Sequence, residues 1–394
     1  MSFAGANRTG LYRILEVTQG TTPTSPALTP IRYTGESIGF NIDTIVSEEI
    51  RDDRQTTDLV NVGQTSSGGV DIELSFDAYD DLIEAALFSD FSTAVAINAA
   101  TITFSNASGT IVDSGNGFSN VVVDQWLKVT NATTASNNGF YKVTVAAAGS
   151  VTVLPVPGAD EVDAASVVIT GQMIRNDIVQ KSFTVQKRFN DTTAPTYQNF
   201  RGMNVNGMNL NFEVGSILGG SFDFMGLSAE ISGSIISGQT DVAAATGSVL
   251  NSVTNLNNVL IDGSASTASI LSMSVEVNNN LRAQNAIGSL AAVGIGVGRF
   301  EVSGSISVYF EDLTEYNKFI NSTAFSLSMR AEDAAGNAYV FTFPNVKYES
   351  MTLAVSGSDT DVVLDGSWRG LRDATTDSMF QIDRLPLDET DVAV

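Results

Sequence analysis

The chain contains no cysteine and no histidine among its 394 residues. The absence of cysteine excludes disulfides, thiol nucleophiles and thiolate metal sites. The absence of histidine removes the commonest general base near neutral pH and the commonest ligand of transition metals. Zinc hydrolases and catalytic triads that contain histidine are therefore excluded. We expect no catalytic residues, no bound metal and no cofactor, and hence a protein that is not an enzyme.

Positive charge is also scarce. The chain has 20 Lys and Arg against 44 Asp and Glu, which gives a formal net charge of −24. Binding to a nucleic-acid backbone depends on clustered Lys and Arg, so the composition argues against it as the main task. The excess of negative charge has two open interpretations, which are solubility and repulsion of nucleic acid.

Long apolar runs are missing as well. No stretch approaches 18 consecutive apolar residues, which predicts no membrane span. The first residues, Met1–Arg8, lack the basic start and apolar run of a secretory signal, so we expect synthesis in a cytoplasm. Apolar residues make up 43% of the chain, an ordinary share for a globular protein. The length allows two or three domains with their own cores.

The second half of the sequence repeats the first half in order. Val70–Phe76 and Val302–Val308 both alternate apolar with polar residues, which predicts a half-buried strand in each half. Helical spacing follows each strand, in Asp80–Leu87 and in Glu311–Ile320. Three more pairs of segments match: Phe183–Arg188 with Phe325–Arg330, Phe200–Val205 with Phe343–Tyr348, and Phe224–Leu227 with Trp368–Leu371. We infer a duplicated unit that is mainly β.

Both predicted helices carry an apolar stripe, with spacings typical of a helix packed on a sheet. The stripe residues are Tyr79, Leu82, Ile83, Ala86 and Leu87 in the first helix, and Phe310, Leu313, Tyr316, Phe319 and Ile320 in the second. Acidic residues at the start of each helix suit the positive end of its dipole. We expect each stripe to belong to the core.

An insertion interrupts the first half. The offset between halves is 231 residues from Asp80 to Glu311 but only 142 from Phe183 to Phe325. The extra residues occupy 91–178 and contain several short strand-like runs separated by turn residues, which predicts a small β-barrel or sandwich. We expect the core anchors of this insert to be Trp126, Phe140 and Tyr141. Two short connections should join it to the parent unit.

These patterns divide the chain into four parts. The predicted parts are a discontinuous first domain (1–90 and 179–231), the inserted domain (91–178), a linker (232–269) and a second domain with a C-terminal tail (270–394). The linker is rich in small polar residues. Part of it is a candidate counterpart of the N-terminal segment Leu11–Val17.

A long loop is predicted between the first two strands of each half. In the first half it begins with Asp43–Asp58 and continues to Gly69, and in the second it spans Asn278–Gly298. Loops this long inside a compact domain are functional or disordered. The charges of the first loop suit contact with a partner subunit, and a solvated mobile loop is the alternative. The candidate contact residues are Glu48, Glu49, Arg51, Asp52, Asp53, Arg54 and Asp58.

Sheet-and-helix units with a charged long loop resemble the major tail (tail tube) protein of long-tailed, siphovirus-like bacteriophages, in a duplicated-domain form. Arg32–Asp90 and Leu271–Leu371 carry most of the resemblance. The segment Asn116–Val143 resembles a small β-domain found in such proteins. The similarity depends on the order of the segments and on their coverage of the chain.

The resemblance implies tandem β-sandwich domains, each with a flanking helix. In that family six domains form a ring whose inner sheets close into a β-barrel, and stacked rings form the tube through which DNA leaves the capsid. Two domains per chain imply a homotrimer with pseudo-sixfold symmetry in a helical assembly. The implied partners are further copies, the tape measure, tail terminator and distal tail proteins, and genomic DNA that passes without specific binding. The implied location is the virion, with no membrane contact.

An acidic lumen would repel the DNA backbone over about 8 Å at physiological salt. Strand parity places Asp71, Glu73 and Asp77 opposite an apolar face, so they are the candidate lumen-facing acids, and exposure on the outer wall is the alternative.

A second interpretation of the whole chain is a β-rich surface-layer or tail-fibre adhesion protein. Contractile tails contain the same kind of domain. The expectation of a non-contractile tail therefore rests mainly on the double-domain pattern.

Overall fold

The computed structural model describes residues 5–162, 166–191, 195–265, 268–355 and 357–388. The fold is mainly β, as predicted, with the helices α1 (Asp80–Leu87) and α2 (Thr314–Ile320). The strands are β1 (Thr9–Leu15), β2 (Ala27–Pro30), β3 (Gly35–Glu36), β4 (Gly39–Val46), β5 (Leu59–Glu73), β6 (Val95–Ala99), β7 (Ile102–Ser105), β8 (Thr110–Asp113), β9 (Trp126–Thr130), β10 (Gly139–Ala147), β11 (Ser150–Leu154), β12 (Glu161–Val162), β13 (Val167–Arg175), β14 (Phe183–Phe189), β15 (Thr196–Glu213), β16 (Gly219–Gly226), β17 (Ser228–Ser232), β18 (Thr240–Asp241), β19 (Leu256–Ile261), β20 (Ser264–Ala265), β21 (Ile270–Asn278), β22 (Arg282–Gln284), β23 (Gly294–Gly296), β24 (Glu301–Tyr309), β25 (Phe325–Glu332), β26 (Ala338–Ala354), β27 (Val363–Gly370) and β28 (Gln381–Leu385). The end of the predicted C-terminal tail, 389–394, lies outside the described residues.

One antiparallel sheet runs through both halves of the chain, in the order β4–β5–β16–β15–β21–β24–β27–β26. We call it the joined sheet. The contact between the halves is the pairing of Gly207–Glu213 in β15 with Ser272–Asn278 in β21. Its strands alternate buried apolar residues with polar residues, so one face contributes to the core and the other is polar.

A second layer covers the core side of each half, and the pairing pattern is the same in both. In the first half, β14 pairs with β1 and with the start of β15, which also pairs with β17. In the second half, β25 pairs with β19 and with the start of β26, which also pairs with β28. The 18-residue β15 and 17-residue β26 are long enough to serve both layers.

Glycine recurs at one equivalent position in the two halves. Phe224 and Trp368 match in the sequence repeat, and the residues opposite them are Gly68 and Gly304. A Cβ at Gly68 would clash with the carbonyl oxygen of Ser37, and a Cβ at Gly304 with that of Ser274, each in the neighbouring segment of the sheet. Any side chain here would therefore push two paired strands apart.

The predicted alignment of β5 with β24 is wrong by four residues. Because the two glycines are equivalent, Val70 corresponds to Ile306 and not to Val302. An alternating pattern has a period of two residues, so the sequence fits equally well at any even shift. An even shift also leaves every side chain on its predicted face.

The two helices differ in how they meet the core. In α1 the predicted apolar stripe is confirmed, since Leu82, Ile83, Ala86 and Leu87 are all buried. The predicted stripe of α2 is wrong at Leu313 and Ile320, which are exposed. The second helix also begins later than predicted, because the Asp312 carboxylate accepts the Thr314 N–H at 2.7 Å.

A single hydrophobic core extends through both halves, from Leu11 in β1 to Ile382 in β28. The predicted linker, residues 232–269, contributes strands and a buried side chain to the fold. This corrects its assignment as a segment that only connects the two halves. It carries β18, β19 and β20, and Leu250 within it is buried. Since β19 pairs with β25 as β1 pairs with β14, it occupies the place of the N-terminal strand in the second half.

The inserted segment has its own sheet, in the order β6–β13–β9–β10–β11–β8–β7–β12. Tyr141 belongs to its core, as predicted. Trp126 does not, because its ring packs against Ala338, Val340 and Leu385 of the second half, where Phe140 also lies. The two connections of the insert, residues 88–94 and 176–182, are short as predicted, but they are joined by a further contact, since the end of β13 pairs with β28.

Candidate assembly surface

A long exposed hairpin projects from the first half, and we call residues 39–65 the arm. Beyond the sheet contact at Ser66, strands β4 and β5 pair with each other in an extended ladder. Leu59–Thr65 alone reaches about 23 Å at 3.3 Å per residue. The predicted loop over Asp43–Gly69 is therefore wrong in extent, because only residues 47–58 lie outside the strands.

The arm is unusually apolar for an exposed element. Its exposed large apolar residues are Phe40, Ile42, Ile45, Val46, Ile50, Leu59, Val60 and Val62. Contiguous exposed apolar surface marks contact sites for other proteins. β-branched residues on both strands are the sequence signal that predicts a hairpin here, and the neighbouring charges obscured it.

All seven predicted contact residues lie in or beside the bend at the end of the arm, residues 47–58, which we call the tip. Each is exposed. Arg51 and Asp53 form an ion pair at 2.7 Å, and the hydrogen bond from Arg51 lowers the pKa of Asp53. Ser47 N–H donates to the Asp58 carbonyl at 3.0 Å and closes the tip. The arrangement presents charge to solvent rather than to the rest of the chain.

The polar face of the joined sheet is lined mainly by hydroxyl and amide side chains. Pairs of serines meet across its strands, at 2.8 Å for Ser274 and Ser305 and at 2.7 Å for Ser350 and Ser367. The charged residues on this face include Asp71, Glu73, Asp223, Glu276, Asp365 and Arg369. The face therefore combines neutral hydrogen-bonding groups with an excess of acids.

Two of the three predicted lumen acids lie on this polar face, Asp71 and Glu73. Asp77 does not, because β5 ends at Glu73 and the carboxylate of Asp77 pairs with Arg384 at 2.7 Å. Sequence reasoning missed Asp223, whose pKa is raised by burial and by the nearby charge of Asp71. The strand parity of β16 is the signal that could have found it.

A buried ionic cluster fixes α1 of the first half onto the second half. Arg384, in β28, is 2% exposed and donates to Asp77 and Asp80 at 2.7 Å each. The hydroxyl of Tyr339 donates to Asp80, and its ring packs 4.9 Å from that of Phe76. Burial raises the pKa of Asp80 to about 6, although the positive charge of Arg384 opposes the shift.

A second buried carboxylate lies where the insert meets β28. Asp383 accepts the Trp126 N–H at 3.0 Å and the Gln381 side-chain amide at 2.8 Å. Its complete burial raises its pKa to about 7. On the same interface, the guanidinium of Arg330 lies 3.9 Å from the centre of the Phe140 ring. The insert is thus fixed to the second half by polar as well as apolar contacts.

Within the ranges that the structure describes, no group of three or more acidic side chains is arranged to hold a metal ion. Neither described α-helix has the length and apolar character needed to cross a membrane.

Comparison with known proteins gives one match that covers nearly the whole chain. A family model described as phage tail tube protein matches residues 6–370. No curated protein matches the chain significantly. The matched family consists of structural components of phage tails, in agreement with the mainly β fold and with the resemblance found in the sequence. The chain therefore belongs to the phage tail tube protein family.

Proposed function

We propose that three copies of this chain form a ring with pseudo-sixfold symmetry, and that rings stack into the tube of a long-tailed, non-contractile phage. The observation that carries the proposal is the joined sheet, in which two units with the same strand pairing already lie side by side. Each chain then supplies two of the six ring positions. The tube is the conduit for DNA during ejection.

The proposed division of the chain follows the strand pairing. Strands β1–β5 and β14–β17 with α1 form the first ring position, and β19–β28 with α2 form the second. Strands β6–β13 form the inserted domain on the outside of the ring. This division replaces the predicted linker by a segment that contributes β19 to the second position.

The polar face of the joined sheet lines the proposed lumen. Its hydroxyl groups hydrogen-bond to water, and its acids repel the phosphate backbone within about 8 Å at physiological salt. Cationic side chains that would hold phosphates are few on this face, where Arg369 forms an ion pair with Glu349. Such a lining lets DNA pass without specific binding.

The charged tip contacts the adjacent ring in this proposal. A head-to-tail contact between rings does not close, so it propagates as a filament. The arm is the one long described hairpin whose ladder extends beyond the body of the joined sheet, and residues 48–58 of its tip are all exposed. Length, exposure and charge together suit it to reach the next ring.

The other proposed partners come from the family. A tail tube ends on a terminator protein and a distal tail protein and encloses a tape measure protein, so these three are the expected neighbours in the virion. Synthesis in the cytoplasm of the host bacterium precedes assembly.

Electron microscopy of the purified protein tests the proposal. We expect hollow tubes of stacked rings, with threefold symmetry in averaged end views. Monodisperse monomer that persists at high concentration, by sedimentation, would overturn the proposal. A ring with true sixfold or other symmetry would overturn the assignment of two ring positions per chain.

A further inference from the structure

The two outer strands of the joined sheet each have one open edge. Strand β4 pairs with β5, and residues 347–354 of β26 pair with β27, while no further strand pairs with either along these stretches in the described part of the chain. Unpaired strand edges are ready to add another strand. From the internal repeat we infer that β26 of one copy pairs antiparallel with the β3–β4 segment of the next, with Thr352 opposite Gly39. This inference rests on the proposed ring.

The contact between the halves within one chain provides the template. There β15 and β21 run antiparallel, with Met208 opposite Val277 and Asn209 opposite Glu276. The ring requires the same contact between the second half of one copy and the first half of the next. The equivalents of β15 and β21 are therefore the strands to be paired.

Irregularities in the ladders fix the equivalence of β15 with β26. Each strand carries an extra residue at the same place in its pairing with the following strand, Asn206 in β15 and Glu349 in β26. The offset is therefore 143 residues. Met208 corresponds to Met351 and Asn209 to Thr352.

The paired glycines fix the equivalence of β21 with the β3–β4 segment. Gly304 lies opposite Val275, and the continuous ladder from β3 to β4 places Ile38 opposite the equivalent Gly68. The offset is therefore 237 residues, and Glu276 corresponds to Gly39. Transferring the template contact puts Met351 opposite Phe40 and Thr352 opposite Gly39.

At three apolar positions, exposure differs between the template and the open edges in the way that this pairing requires, while Ile38 and Met351 are already buried within the chain. Three apolar residues of the template contact are buried: Leu210 (3% exposed), Phe212 (3%) and Val277 (1%). Their counterparts at the open edges are exposed: Leu353 (40%), Val355 (74%) and Phe40 (37%). The next copy would cover these side chains as β15 and β21 cover each other.

The arm has a counterpart within the chain as well. The short hairpin of β22 and β23 follows β21, and its Ile295 is buried with Phe88 of the first half beside Met225 and Leu227. The part of the arm past Asn41 follows the segment equivalent to β21, so it would lie over the second half of the next copy. This position accounts for the apolar character of the arm along its length.

Cysteine cross-linking tests the inferred register, since the chain has no cysteine of its own. The test variant carries Thr352→Cys with Gly39→Cys. The Cβ built at Gly39 has its nearest neighbour at 3.7 Å, so a side chain fits there. Directly opposed residues in antiparallel strands have Cα atoms about 4.5–5.5 Å apart, within the range of a disulfide. Oxidised assemblies should shift from monomer to covalent trimer on denaturing gels.

Two matched variants complete the experiment. Asn209→Cys with Glu276→Cys occupies the template contact and should cross-link within one chain, without any shift to dimer or trimer. Ser350→Cys with Gly39→Cys reports a pairing that is slipped by two residues. Tubes in which only this slipped pair cross-links would overturn the register, and tubes in which neither intermolecular pair reacts would overturn the pairing. If the unmodified protein forms no rings, the proposed function itself is wrong.

Discussion

The two halves of the chain share one strand-pairing pattern and differ in what is attached to it. The first half has an exposed arm formed by β4 and the start of β5, and an insert of eight strands after α1. The second half has a short hairpin at the first place, packed on its neighbour through Ile295, and a direct connection at the second. The strand pairing that the two halves share builds the joined sheet. The arm and the insert occur in the first half alone, so they mark the places where the two proposed ring positions would have different neighbours.

Replacing the tip should have the largest effect on assembly. In the variant, residues 48–57 are replaced by Asn-Gly, which suits a two-residue hairpin turn and makes the first half more like the second. We expect an unchanged unfolding temperature but isolated rings in place of tubes, because the proposed charged contact between rings would be lost. Sedimentation and electron microscopy measure this outcome. Tubes of normal length would show that the tip does not mediate stacking.

Removing the charge that joins the halves should have the largest effect on stability. Arg384→Met leaves Asp80 buried without its cation, which should lower the free energy of unfolding by about 3–5 kcal/mol. The matched control is Arg372→Met, since Arg372 and its partner Asp377 are both exposed and such pairs contribute about 0–1 kcal/mol. Urea unfolding compares the two variants. Equal losses would contradict a structural role for the buried cluster.

The contact of the insert with the second half should depend on pH through Asp383. Its pKa is about 7 in the folded state and near 3.8 when exposed, so the folded protein binds the proton more tightly. Stability should therefore fall as pH rises through the window from about 4 to about 7, with a loss of at most about 4 kcal/mol.

Asp383→Asn should remove this dependence, because the amide is neutral and its oxygen still accepts the Trp126 N–H. The difference in unfolding free energy between the variant and the unmodified protein isolates Asp383 from other carboxylates, including Asp80. We expect the difference to grow from pH 4 to pH 7 and then to level off. A constant difference in unfolding free energy from pH 4 to pH 7 would contradict the raised pKa of Asp383.

Truncations in the two hairpins should have opposite consequences. Ile295→Ala opens a cavity in a buried cluster and should cost about 2 kcal/mol in the isolated chain. Ile45→Ala changes a side chain that is 59% exposed and should leave the isolated chain within about 0.5 kcal/mol, while weakening ring formation. Unfolding and sedimentation at graded concentrations separate the two effects. Equal destabilisation of the isolated chain by both changes would show that the arm is already packed on its own subunit.

Much of the secondary structure was predictable because it depends on local patterns. Alternation in Val70–Phe76 predicts a strand, of which β5 includes Val70–Glu73, and helical spacing in Asp80–Leu87 predicts the helix α1. The sequence predicts a loop where the arm forms a hairpin, because charges near the tip outweigh the β-branched residues on either side. Trp126 was assigned to the wrong core, because hydrophobicity shows that a ring is buried but not which neighbours bury it.

The candidate site divides in the same way. The sequence located the charged tip and placed Asp71 and Glu73 on one face, because parity along a single strand needs no knowledge of its neighbours. It failed at Asp77, which lies past the end of β5, where parity no longer applies. The sequence also does not identify the ion-pair partner of Asp77, since Arg384 lies more than 300 residues away in the chain.

By itself, the sequence determined that the protein is a duplicated, mainly β structure without cysteine or histidine chemistry, and that its surface is strongly acidic. Composition, spacing and order contain that information directly. Only the tertiary structure decided the register of β5 with β24, the union of both halves in one sheet and the two open edges. These features depend on which distant strands meet. A pattern that repeats every two residues fits equally well at every even shift, and only the three-dimensional packing selects one of them.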